Sequence, residues 1–247
     1  MSRSHQDRVA LVTGAAGGLG VPFALRLARE GCHIAITDRA PTDDLVAAIR
    51  ATGRDVHFEP CDLADGEAVE RLAAGVLARF GRCDILVNNA AYMPLLPLER
   101  IDRDAFRRFL AINLEAPLIL ARILGADMAG RGYGRIVQIA SSTIGNPMPG
   151  FCSYIATKMG GVGLVRGLAA ELGPKGITVN AISPGLTKTP SSEKELPAAL
   201  FEAVVQRQLI KRTEVPEDLC GTLAFLTSED AGFITGQNIF VDGGTVF

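Results

Sequence analysis

The chain has 247 residues, with 25 Lys and Arg against 27 Asp and Glu, a formal net charge of −2 at pH 7, and an apolar share of 48%. The near-neutral balance excludes a protein built to coat nucleic acid, which needs a basic surface, and the apolar share excludes intrinsic disorder. A length of this order permits one large α/β domain or two small ones.

In chain order, residues 8–13 (RVALVT) read as a buried strand and 18–30 as a helix ended by Gly31. Residues 33–37 (HIAIT) and 55–59 form the second and third strands. The next helix is marked by Val69, Leu72, Ala73, Val76, Leu77 and Phe80, which follow the i, i+3, i+4, i+7 rule, and Gly81 stops it. Residues 84–88 (DILVN) are a fourth strand, 104–128 a long helix, and 135–140 (RIVQIA) a fifth strand. A helix over 153–172 closes at Gly173-Pro174, and strands at 177–182 and 238–241 complete the pattern. Strands alternating with helices predict βαβ units. The expected fold is α/β: a single-domain, Rossmann-like, doubly wound parallel seven-stranded sheet with helices on both faces. No linker or repeat divides residues 1–247. The exception to the pattern is 186–212, polar at its start and apolar later, which reads as a substrate loop or lid, with a plain pair of surface helices as the alternative.

The longest uncharged run, 136–157, contains Pro147, Pro149, Gly145, Gly150 and Asn146, which would leave backbone groups unsatisfied in lipid. The first residues, MSRSHQDR, lack the apolar core of a signal peptide, so a cytoplasmic protein with no membrane partner is expected. The five cysteines are scattered and without CxxC spacing, and the three histidines stand apart, so no metal site is expected. Cys152, two residues before Tyr154, is a candidate redox-sensitive thiol, with plain packing as the alternative.

Chemistry is carried by other residues. Thr13-Gly14-Ala15-Ala16-Gly17-Gly18-Leu19-Gly20 joins the first strand to the first helix. Glycines there permit a tight turn and close approach of N–H groups to a pyrophosphate, which the helix N-terminus also favours. The spacing T-G-x-x-x-G-x-G resembles the short-chain dehydrogenase/reductase family and singles out Gly14, Gly18 and Gly20, with Leu19 either inside the fold or on the nicotinamide side. Asp38, at the end of the second strand, can accept both ribose hydroxyls and would repel a 2′-phosphate. NAD is therefore the expected cofactor, although Arg39 could clamp a phosphate. The resemblance adds Asp62 (beside Leu63) against adenine, and Asn89 and Ala90 in Asn88-Asn89-Ala90-Ala91, close to the family's N-N-A-G. It also implies that Pro184, Gly185 and Thr189 hold the nicotinamide carboxamide, with Thr187 as a second candidate.

Tyr154 and Lys158 lie four apart near a helix start, so they share a face. A fixed ammonium would stabilise phenolate and make the tyrosine a usable acid and base. Ser141 stands at the C-terminal end of the fifth strand, where open α/β sheets bind ligands, and period-two alternation points Ser142 elsewhere. Asn113 is a polar residue amid an apolar helix. Together Asn113, Ser141, Tyr154 and Lys158 resemble the family's catalytic tetrad, which implies a water held by Asn113 and a nicotinamide ribose contact for Lys158. Thr235-Gly236-Gln237 and Val241-Asp242-Gly243-Gly244 resemble the family's C-terminal signature, and family resemblance also implies a homotetramer.

The reaction so implied is reversible hydride transfer between a small-molecule alcohol or ketone and the nicotinamide. Met93, Ile144, Met148, Phe151, Leu186 and Phe201 are the expected substrate contacts. Residues 92–96 and 143–152 contain no Arg or Lys, so the expected substrate is a neutral, moderately hydrophobic secondary alcohol or its ketone. The segment FGRCDILVNNAAYMPLLP is similar to the 1-phenylethanol dehydrogenases. A 3-oxoacyl thioester and a sugar or pyridoxal-type alcohol are the alternatives within the family, and a non-catalytic NAD-binding sensor is the alternative outside it.

Overall fold

The computed structural model describes residues 5–40 and 42–247. Its first half runs β1 (Val9–Thr13), α1 (Gly20–Glu30), β2 (His33–Thr37), α2 (Asp43–Arg50), β3 (Val56–Phe58), α3 (Gly66–Phe80) and β4 (Ile85–Asn88). The second half runs α4 (Arg103–Leu110), a π-helical turn at Ala111–Glu115, α5 (Ala116–Arg131), β5 (Gly134–Ile139), α6 (Cys152–Leu172), β6 (Ile177–Pro184), α7 (Pro190–Glu195), α8 (Ala198–Arg207), α9 (Pro216–Thr227) and β7 (Asn238–Val241).

The strands form one seven-stranded sheet in the order β3-β2-β1-β4-β5-β6-β7, and every pairing is parallel. The order reverses between β1 and β4, which opens a crevice beyond their carboxyl ends. Period-two alternation sends successive strand residues to opposite faces. Ala10, Val12, Ile85, Val87, Val137 and Ile139 meet α1, α2 and α9 through Phe23, Leu27, Ile49, Leu219 and Leu223. Leu11, Leu86, Ile136, Val179 and Ala181 meet α3, α5 and α6 through Val69, Leu72, Leu120, Leu124 and Val165. Fully buried side chains such as Phe23 and Leu27 each stabilise the fold by about 1.5–3 kcal/mol.

Two expectations need correction. The helix expected over 104–128 is two α-helices joined by the π-turn, and the joint falls on Asn113. Helices α2 and α9 are present where none was expected. In α9 the proline sits at the first turn, where its missing N–H is unneeded, so Pro216 starts the helix. The segment 186–212 holds two short helices, α7 and α8, together with the loops around them. The helical rod Arg103–Arg131, whose most apolar 18-residue stretch has a mean hydropathy of 1.6, is long and apolar enough to cross a membrane, but Ala116, Leu120, Leu124 and Met128 along it are spent in the core beneath the sheet.

Candidate active site

A cavity of about 630 Å³ lies beyond the carboxyl ends of the strands. Its wall takes Gly14 after β1, Asp38 after β2, Asp62 after β3, Asn89 after β4, Ala140 after β5 and Gly185 after β6. Sheet topology alone thus gathers residues from six separate stretches of sequence.

The glycine-rich turn forms one end. Gly14 has φ +64, and a Cβ there would lie 2.8 Å from the Ala90 Cα, so only glycine lets the turn meet the end of β4. Asn89 fastens that meeting: its side-chain amide donates to the carbonyls of Thr13 (2.9 Å) and Gly14 (3.1 Å). The Thr13 hydroxyl accepts from the N–H groups of Asn89 and Ala90. A Cβ on Gly18 would lie 2.5 Å from the Thr189 Cβ, so the segment after β6 closes directly over the turn. Asp38 is half-buried and accepts from the N–H of Ala16 (3.0 Å) and of Arg39 (2.7 Å). A carboxylate has capacity for further donors, so Asp38 is free to accept from a ribose. The Thr37 hydroxyl on the wall and the Asn88 side-chain oxygen behind it are buried without a partner among the described residues. A cradle that a Cβ would fill, a carboxylate at its rim and unpartnered polar atoms together fit a dinucleotide.

Tyr154 and Lys158 project from the first turns of α6, and Ser141 follows β5. All three line the cavity and are buried. Tyr154 packs against Phe151 (ring centroids 5.7 Å apart) in an apolar cluster with Phe109, Met93 and Met148. Burial pushes its phenol up to about 12, while a hydrogen bond from the Ser141 side chain works in the other direction. The same dry surroundings bring the Lys158 ammonium down to about 8. Lys158 Nζ donates to the Ile139 carbonyl at 2.6 Å and stands 5.4 Å from the centre of the Tyr154 ring. The expected lowering of the phenol by Lys158 therefore loses to desolvation in this structure.

Asn113 is buried and does not reach the wall. Its Oδ1 accepts from the Tyr92 N–H (2.8 Å), and its Nδ2 donates to the Tyr92 carbonyl (3.0 Å) and to the Thr157 hydroxyl (2.9 Å). The side chain ties the loop after β4 to the helix that bears Tyr154. The π-turn is what carries Asn113 at this crossing, and such turns are frequent at functional sites.

Of the other expected contacts, Gly14, Gly18, Leu19, Asp62, Leu63, Ala90, Pro184, Gly185, Thr187, Thr189, Met93, Met148, Phe151 and Leu186 all line the cavity. Gly20, Ile144 and Phe201 do not. Gly20 is buried behind the turn as the first residue of α1. Ile144 ends a 3₁₀ turn that presents Ser142 and Thr143 instead, and β5 stops at Ile139, so the strand alternation assumed for Ser142 does not apply. Phe201 lies three residues before the wall residue Val204, about 60° round the helix from it. Cys152 is exposed at the start of α6, off this wall and on an adjoining apolar groove.

Four wall or support residues were not anticipated. Leu196 and Val204 reach the wall from farther along 186–212, beyond Leu186, Thr187 and Thr189. Arg108 reaches it from α4, so the substrate end is not free of cations as the loops alone suggested. Its helical spacing of four from Ile112, also on the wall, was the available signal. Glu214 sits just behind, buried, with its carboxylate accepting from the Gly185 N–H (3.0 Å) and the Thr187 hydroxyl (2.7 Å).

Comparison with known proteins agrees with this architecture. Residues 14–246 match a family model described as "Enoyl-(Acyl carrier protein) reductase". Dehydrogenase/reductase SDR family member 4 of Pongo abelii is 36% identical over 97% of this chain and 87% of its own length. The chain belongs to the short-chain dehydrogenase/reductase family. Among solved structures, a short-chain dehydrogenase/reductase from Serratia marcescens superimposes with a TM-score of 0.91 at 33% identity, covering 98% of this chain and 99% of that one. A 3-oxoacyl (acyl-carrier-protein) reductase from Agrobacterium tumefaciens, solved with NADP bound, superimposes with a TM-score of 0.92 at 29% identity, covering 98% of this chain and 95% of that one. The family's parallel sheet and nicotinamide nucleotide chemistry thus apply to this short-chain dehydrogenase/reductase.

Proposed function

We propose that the chain is an NAD-preferring oxidoreductase that moves hydride reversibly between a secondary alcohol, or its ketone, and the nicotinamide. The observation that carries this reading is the junction of Ser141, Tyr154 and Lys158 with the glycine turn and Asp38 on one cavity wall. The nucleotide, when bound, supplies or accepts the hydride. Gly14, Gly18, Asp38 and the residues after β6 would hold it. Tyr154 takes the hydroxyl proton during oxidation and returns it during reduction. Ser141 donates to the substrate oxygen as its charge changes. Lys158, fixed by the Ile139 carbonyl, supplies positive charge beside the phenolate. Phe151, Met93 and Met148 exclude water and favour an apolar substrate body.

Residues 1–247 are read as one catalytic unit, with 186–212 as the substrate lid. Exposed Phe106, Leu110, Leu118 and Met159 on the long helices support assembly into a homotetramer. A cytoplasmic setting accompanies this reading. A 3-oxoacyl thioester substrate with NADP is the second reading, favoured by the NADP-bound Agrobacterium relative.

Asp38 distinguishes the nucleotides. A panel of secondary alcohols and ketones, followed by nicotinamide absorbance with each nucleotide, should show NAD(H) preferred by at least about tenfold in kcat/KM, the equivalent of 1.4 kcal/mol of charge repulsion. Asp38→Ser should lift NADP(H) turnover toward the NAD(H) value. Equal rates in the parent enzyme would remove Asp38 as the discriminator, and no turnover of any alcohol or ketone would remove the oxidoreductase reading.

A further inference from the structure

The charges on the cavity wall are divided. Both wall carboxylates, Asp38 and Asp62, stand at the nucleotide end, after β2 and β3. Of the three wall cations, Arg39 adjoins Asp38 there, and Lys158 is buried with its ammonium on the Ile139 carbonyl. The third is Arg108. Its guanidinium carbon lies 5.2 Å from the centre of the Tyr92 ring, and it makes no ion pair with any carboxylate among the described residues.

Its platform is rigid. Tyr92 is pinned through both backbone polar groups by Asn113 and packs edge-on against Phe109 with centroids 4.8 Å apart. It belongs to the same apolar cluster as Tyr154, Phe151, Met93 and Met148. Through Tyr92 the cation therefore borders the apolar cluster that holds the phenol. Asn146 faces the same cavity from the loop that carries Met148, and its side-chain amide makes no hydrogen bond among the described residues. A guanidinium pre-oriented by stacking, with its forked donors unspent, matches a carboxylate bidentately.

We propose that Arg108 is a specificity-determining residue that receives a carboxylate on the substrate, so that the preferred substrate is an oxo acid or hydroxy acid with an apolar body between the reacting carbon and the acid group. This rests on the hydride-transfer reading above and narrows its substrate class. It replaces the expectation of a wholly neutral substrate, which took account of the lining loops and not of helix α4.

The test compares 4-oxo-4-phenylbutanoate with its methyl ester, a matched pair differing in one charge. Reduction of each is followed with the parent enzyme, Arg108→Gln and Arg108→Lys, at low and high salt. The parent should favour the acid about tenfold in kcat/KM, mainly through KM, and added salt should shrink that preference because the guanidinium is exposed. Arg108→Gln should lose the preference, with the acid falling several-fold more than the ester, and Arg108→Lys should restore part of it. Equal handling of acid and ester by the parent, or equal losses on both in Arg108→Gln, would overturn the proposal. Calorimetric binding of acid and ester to the same three proteins reads Arg108 without turnover. A protein that binds the acid through Arg108 yet reduces neither ketone would count against hydride transfer and not against the anchor.

Discussion

Tyr154→Phe is expected to lower kcat/KM in both directions by about 10²–10⁴-fold, the usual contribution of a positioned acid or base. Nucleotide affinity should stay within about twofold. The phenyl ring keeps its place against Phe151, so the loss is of a proton carrier and not of packing. Parallel nicotinamide absorbance and nucleotide titrations check this, and near-parental turnover would exclude Tyr154 as the acid and base. The pH dependence has a definite sign. With burial holding the phenol near 12, oxidation needs the scarce phenolate and should rise with pH, by up to about tenfold per unit below that value. Reduction needs the phenol proton and gains nothing from alkali.

The second large effect lies behind the wall. Burial pushes the Glu214 carboxyl up from 4.5 to about 7, the Thr187 and Gly185 hydrogen bonds oppose the shift, and Asp218 and Asp242 add to it. A carboxyl raised in the folded state binds its proton more tightly there than in the unfolded chain. The resulting stability is fully present below pH 4.5 and is lost as pH rises through 7, for a change on the order of 3 kcal/mol. Glu214→Gln removes the titrating group. The stability of the variant relative to the parent should therefore improve by about 2–3 kcal/mol between pH 5 and pH 8, as measured by urea unfolding. A difference that does not move with pH would show that Glu214 is already ionised at no cost.

Much of the fold was readable because period-two strands and period-3.6 helices leave direct marks, as in Leu72, Val76 and the Gly81 stop of α3. Helix α2 escaped because eight residues beginning Asp43-Asp44 look like a polar loop until Leu45 and Ile49 find the sheet. The residues of the site were legible where a local motif names them, as with Gly14 or Tyr154. Residues recruited by three-dimensional proximity leave no such mark. Glu214 looks like a loop acid before Pro216, and only the return of the chain beside Gly185 makes it a buried clasp. Phe201 stands off the wall for the converse reason: an apolar type at a plausible position says nothing about which side of α8 faces the cavity.

The π-turn at Ala111–Glu115 has a consequence for how the protein tolerates change. A π-turn holds one more residue than an α-turn, so α4 and α5 belong to one rod whose halves are out of phase. The phase before the joint aims Arg108 at the cavity, with Ile112 in the joint beside it; the phase after it aims Leu120, Leu124 and Met128 at the sheet. Removing a single residue here would make the helix regular and rotate one half by about 100° against the other. Neither face could then keep its partner. This rod can absorb substitutions along its length, but its residue count across the joint is fixed by two obligations at once.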